Sequence, residues 1–76
     1  HISRKDISID QRSDEIREFL KQRVQKKVKL EELFDRADRY YFIVTFLSVL
    51  VLAKDHELEI IQNDLFDDIY VEGKYE

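Results

Sequence analysis

Apolar positions along the chain fall into blocks with two different periods. In Lys5 to Arg12, Ile7 and Ile9 stand two apart among polar neighbours, an alternation that predicts a short half-buried strand. Ser13 then sits where a helix N-cap belongs, with Asp14 and Glu15 placing negative charge on the first turn. Ile16, Phe19, Leu20 and Val24 continue at spacings of three, four and four, one apolar stripe of a helix running to about Lys27. Leu30, Leu33, Phe34 and Ala37 repeat the helical pattern over a shorter span, Leu30 to Ala37. Asp38 can cap a third helix over Tyr40–Ala53, where twelve of fourteen residues are hydrophobic. The two exceptions, Thr45 and Ser48, can bond back to carbonyls one turn earlier. A run of this length is too long for a strand in so small a chain, so length decides for helix.

After Lys54-Asp55-His56 the period drops to two. Leu58 and Ile60 alternate with Glu57 and Glu59, Asn63-Asp64 supplies turn chemistry, and Ile69 and Val71 alternate with Asp68, Tyr70 and Glu72 up to Gly73. These are the two strands of a hairpin. The predicted order is strand, three helices, two-strand hairpin: an α+β winged helix, in which the first strand completes a small sheet, forming a single small domain over residues 1–76.

Composition narrows the chemistry. The 76 residues contain no cysteine, which removes disulfides, thiolate nucleophiles and cysteine-ligated zinc. One glycine and no proline exclude a glycine-rich phosphate loop. There is no methionine either, which reads as a piece trimmed from a longer protein. Residues 1–30 carry nine basic and five acidic side chains, a balance of +4, whereas residues 31–76 carry four and twelve, a balance of −8. A net charge of −4 counts against a phosphate backbone as the main ligand. The longest apolar run would extend only about 21 Å as a helix, short of a hydrocarbon core of about 30 Å. No basic leader precedes an apolar run near the first residues, so no signal peptide is visible.

Catalytic constellations are missing. His56, near the end of the long helix, is explained by the helix dipole, and His1 lies at the terminus. Asp67 and Asp68, read as adjacent strand residues, point to opposite faces and cannot work as a pair. With Asp64 they do not match a calcium-loop spacing. No catalytic, metal or cofactor-binding residues are expected. The basic face of the first helix (Arg17, Lys21, Arg23, Lys26, Lys27) reads as a solvated surface. A DNA-binding winged helix would use Arg17, Lys21 and Lys27, but its last helix would display Arg, Asn or Gln, and here it displays Val, Phe, Leu and Tyr. That surplus of apolar side chains points to a protein partner, or to a second copy across a helix seam.

The second half of the chain resembles a known family. The phrase VTFLSVLVLAK (Val44–Lys54), then a strand, then QNDLFDDI (Gln62–Ile69), is similar to the C-terminal domain of the bacterial kleisin called segregation and condensation protein A. The likeness is firm from Ile43 to Val71; Val51 stands where the family often has glutamate, making this helix more apolar than usual. The resemblance implies a non-enzymatic subunit whose C-terminal winged helix docks on one SMC ATPase head. It implies closure of a ring used in chromosome condensation and segregation, in the cytoplasm on the nucleoid. A second accessory segregation and condensation protein would bind a middle region absent from this chain. The expected docking face combines the hairpin with apolar residues of the last helix, and the residues singled out are Leu65, Phe66, Ile69 and Tyr70. For Phe66 and Ile69 closure of the domain's own core is the competing assignment. Ile69 and Tyr70 lie on opposite faces of one strand, so if one faces the core the other is available.

Overall fold

Ser8 opens the first helix. In the computed structural model, which describes residues 6–23 and 26–75, helix α1 spans Ile9–Lys21. The Ser8 hydroxyl accepts from the Gln11 N–H at 3.0 Å, and Gln11 Oε1 accepts from the Ser8 N–H at 2.9 Å. This reciprocal capping box satisfies two donors at once, which fixes the start of the helix there. The strand expected over Lys5 to Arg12 is therefore not formed by the described residues: Ile7 precedes the cap and Ile9 is already helical. Ser13, expected as the cap, is buried inside the helix. At the other end α1 stops at Lys21, short of Lys27, where Arg23 turns back to donate to the Phe19 carbonyl at 3.0 Å. Val24, the last residue of the expected stripe, lies outside the described residues.

The third strand comes from elsewhere. Val28–Lys29 forms β1, Leu58–Ile61 forms β2 and Tyr70–Gly73 forms β3, in an antiparallel sheet of order β1-β3-β2. Val71 lies across from both Val28 and Ile60, and Leu58 lies across from Gly73. A Cβ at Gly73 would stand 3.0 Å from Leu20 Cβ and 2.9 Å from the Tyr75 ring, so α1 reaches the sheet only over a glycine. Between β1 and the last helix, the expected helix Leu30 to Ala37 is reduced to a single 3-10 turn, Leu30–Leu33. A physical reason is visible at Leu33, whose carbonyl is taken by a buried Arg12 Nη2 at 2.7 Å instead of continuing a helical ladder.

Helix α2 (Arg39–Lys54) begins as expected at Asp38, whose carboxylate accepts from Tyr40 N at 2.9 Å and Tyr41 N at 3.3 Å. It ends in a left-handed residue, His56, at φ 61°. His56 N–H reaches the Ala53 carbonyl at 3.0 Å and Glu57 N–H the Leu52 carbonyl at 2.9 Å, the paired bonds of a Schellman ending. The core is built from Ile16 and Leu20 of α1, Val49 and Leu52 of α2, Leu33, and Val28, Leu58 and Val71 of the sheet.

Arg12 is buried where the two helices cross. Its Nε donates to Thr45 Oγ1 at 2.8 Å and its Nη1 to Glu15 Oε1 at 2.9 Å, in addition to the bond to Leu33. The guanidinium lies 4.5 Å from the Tyr41 ring centroid, and Arg36 lies 4.4 Å from the same ring. Ser48 Oγ donates to the Ile9 carbonyl at 3.2 Å. Thr45 and Ser48 thus serve long-range bonds rather than the expected bonds back to their own helix.

A second tie joins α1 to the end of the chain. Arg17 holds Glu57 through two parallel bonds from one edge of its guanidinium, Nε to Oε1 at 2.7 Å and Nη2 to Oε2 at 3.2 Å, and the Tyr75 hydroxyl donates to the same Oε1 at 3.2 Å. Hydrogen bonding from Arg17, helped by Tyr75, pulls the Glu57 carboxyl below its ordinary range against the opposing effect of burial. Burial first, and then the bond to Glu57, push the Tyr75 phenol up to about 12.

Three outcomes follow from these contacts. Arg12→Met keeps the apolar stem but strands the Leu33 carbonyl and the Thr45 hydroxyl, and should lower stability by about 2–4 kcal/mol in urea unfolding. A loss below about 0.5 kcal/mol would show the network to be dispensable. His56→Gly removes a left-handed side chain and should raise the thermal midpoint, by about 1 kcal/mol of stability. Because Tyr75 keeps its proton to about 12 when folded but releases it near 10 when unfolded, stability should fall as pH rises through that window. Tyr75→Phe should flatten that part of the urea-midpoint profile, and an unchanged slope would place the titration elsewhere.

Candidate protein-docking surface

Helix α2 is turned with its hydroxyls inward. Tyr41, Val44, Thr45, Ser48, Val49 and Leu52 are buried, whereas Tyr40, Phe42, Ile43, Phe46, Leu47, Leu50 and Val51 are exposed. Both faces are apolar, so the helix would bury either one if hydrophobicity alone decided. The hydrogen bonds of Thr45 and Ser48 to α1 select the inner face. Seven large apolar side chains are left pointing to solvent on one side of a single helix, with Phe42 exposed by 51% and Ile43 by 47%. Contiguous apolar exposure of this kind marks an interaction site on soluble proteins.

The loop 62–69 extends the surface beyond the helix. Gln62 Nε2 donates to the Leu65 carbonyl at 3.1 Å and to the Asp67 carbonyl at 2.9 Å, and Asp64 Oδ1 accepts from Leu65 N at 2.7 Å. These bonds hold Leu65 and Phe66 outward at the tip, 74% and 94% exposed. Phe66 therefore does not close the core. Ile69 is 37% exposed and lines a groove of about 410 Å³ between the loop, the 3-10 turn and α2. The groove floor is Leu30, Phe34, Phe42, Phe46 and Ile69, with the Phe34 and Phe42 rings tilted against each other at 4.6 Å. Tyr70 is half-buried and stands across from Lys29 and Ile61 on the sheet face opposite Val71. The structure thus brings Ile69 to the groove beside α2, sets Leu65 and Phe66 outward at the loop tip, and leaves Tyr70 on the sheet face opposite Val71.

Sequence reasoning pointed to the last helix as a whole but not to its exposed members. Phe42, Ile43, Phe46, Leu47, Leu50, Val51 and the edge-strand Ile60 were missed as individuals, as were Leu30 and Phe34 beneath the groove. A usable signal was present: two small hydroxyls three apart on an otherwise apolar helix, with an arginine upstream able to meet them.

Polar groups rim the groove. Lys29 Nζ lies 3.4 Å from Asp68 Oδ2, and the bond to Asp68 raises the Lys29 pKa. Asp67 and Asp68 lie in the loop, not on a strand as expected, so strand alternation does not govern them. Among the described residues no group of three His, Cys, Asp or Glu side chains is arranged to hold a metal ion. No helix among them is long and apolar enough to cross a membrane.

This arrangement has close parallels. The family model for segregation and condensation protein ScpA matches residues 1–74. Segregation and condensation protein A of Listeria monocytogenes serotype 4b is 40% identical over 75 residues, covering 99% of this chain and 30% of its own length. The Bacillus velezensis protein of the same description is 38% identical over 72 residues, covering 95% of this chain and 28% of its own. The chain thus spans about three-tenths of the length of the curated relatives it matches. Among solved structures, a crystal structure of the Smc head bound to the C-winged helix domain of ScpA superposes with a TM-score of 0.70 at 25% identity, covering 87% of this chain and 99% of that one. With a family match running nearly end to end, the chain belongs to the segregation and condensation protein ScpA family.

Proposed function

We propose that residues 1–76 form the C-terminal winged-helix domain of a longer kleisin subunit and dock on an SMC ATPase head. Docking would close the ring that acts in chromosome condensation and segregation, in the cytoplasm on the nucleoid, with no catalytic step in this domain. The observation that carries the reading is the outward apolar face of α2, with Ile69 in the groove beside it and Leu65 and Phe66 exposed at the tip of the adjoining loop. The likeness to a winged-helix domain bound to an Smc head supports the choice of partner. A second accessory segregation and condensation protein would engage a part of the subunit outside these residues.

Each element has a physical role in that reading. Leu47 and Leu50 at the middle of the face would be covered completely, and Phe66 at the loop tip would serve as an aromatic anchor. Tyr70, on the opposite sheet face, would contribute at the margin. Duplex DNA should gain little, because the side opposed to the partner is apolar and the net charge is −4.

Calorimetric titration of the domain with its cognate SMC head should show saturable binding at micromolar affinity or tighter, and duplex DNA none. Phe66→Ala and Leu47→Asp should each weaken head binding by about 2–4 kcal/mol, and Phe66→Ala should leave the thermal midpoint nearly unchanged, since Phe66 is 94% exposed. Silence with a folded head overturns the proposal, and elution at twice the monomer mass through the same face would favour self-association instead.

A further inference from the structure

The groove beside α2 carries a charge pattern that restricts what can enter it. Its floor is apolar, with Phe42 and Phe46 presenting their rings from the helix. Its rim holds Glu31, Asp67 and Asp68 against one cation, Lys29. Asp68 pairs with that lysine at 3.4 Å and Glu31 also acts on its charge at longer range, so three carboxylates share one cation and the rim keeps a negative balance. The rim is also held in place before any partner arrives. Gln62 bonds the carbonyls at both sides of the loop tip, and the Leu30 N–H is tied to the Ile69 carbonyl at 2.8 Å.

We infer that this groove takes a large apolar side chain of the head that is flanked by lysine or arginine, and that the Glu31–Asp67 rim steers it in. The inference rests on the head-docking reading and names the chemistry of the contact. An acidic rim around an apolar floor is complementary to a basic segment with an apolar anchor. A second copy does not fit this pattern. Its exposed Leu65–Phe66 knob sits between Asp64 and the Asp67-Asp68 pair, and would bring carboxylates onto carboxylates. A phosphate-bearing surface is repelled by the same rim.

The rim acids are exposed, so neutralising them should not unfold the domain. The decisive variant is Glu31→Gln with Asp67→Asn, compared with wild type by stopped-flow association with the cognate head over a range of salt. Wild-type association should slow steeply as salt rises, whereas the double variant should associate about tenfold more slowly at low salt with a much flatter salt dependence. Unchanged rates and salt slope in the double variant, with Leu47→Asp still weakening binding, would overturn the groove assignment and leave head docking standing. A faster double variant would show that the segment entering the groove is acidic, which also overturns it. Failure of the wild-type domain to bind the head at all would instead remove the reading beneath it.

Discussion

A helix that is apolar all round has no preferred rotation as far as hydrophobic burial is concerned, and α2 is such a helix. What orients it is a small polar seam buried at its crossing with α1, where Arg12 meets Thr45 and the Leu33 carbonyl and Ser48 meets the Ile9 carbonyl. Burying a guanidinium carries a large desolvation penalty unless its donors are satisfied, so the seam tolerates one rotation and penalises its neighbours. The apolar half of the same crossing, Ile16 and Leu20 against Val49 and Leu52, contributes the burial that the polar half cannot. Specificity and stability are therefore divided between the two ends of one helix pair.

The division has a functional consequence. With hydroxyls spent on the interior, the aromatic and branched residues of α2 are left outside, where their contact with water is unfavourable. The same arginine shapes the groove next to this face. Arg12 holds the Leu33 carbonyl at the end of the 3-10 turn, the backbone leaves the helical region at Phe34, and the Phe34 ring tilts against Phe42. The loop 62–69 completes the surface through side-chain bonds of Gln62 and Asp64 rather than through strand pairing. A tip held in this way loses less conformational freedom on docking than a loose loop would.

Much was legible from the residues themselves. The α+β class, the cap at Asp38, the long helix and the hairpin all rest on signals between neighbours a few positions apart, namely a carboxylate ahead of an apolar run and a change of period after Lys54. The phrases VTFLSVLVLAK and QNDLFDDI carried the family, and the exposed Leu65 and Phe66 are the residues that turn chemistry without core contacts leaves at a loop tip. The start of α1 is also a local matter, but it is set by the Ser8–Gln11 box and not by the alternation of Ile7 and Ile9 or by Ser13, because the box satisfies backbone donors and a two-residue alternation satisfies none.

Other features had no local signal to read. A two-residue strand such as Val28–Lys29 exists only because β3 is there to receive it, so its position follows from the register with Tyr70 and Val71 and not from its own composition. The rotation of α2 is likewise fixed at a distance: its two sides differ only by the hydroxyls of Thr45 and Ser48, and the groups that bond them lie more than thirty positions away. By itself the sequence determined the first helix's apolar stripe, the long capped helix, the hairpin strands and the family, because capping and periodicity act over a few residues. The tertiary structure alone decided which strand completes the sheet and which apolar residues are left at the surface, because pairing and helix rotation are set by hydrogen bonds between segments far apart in the chain.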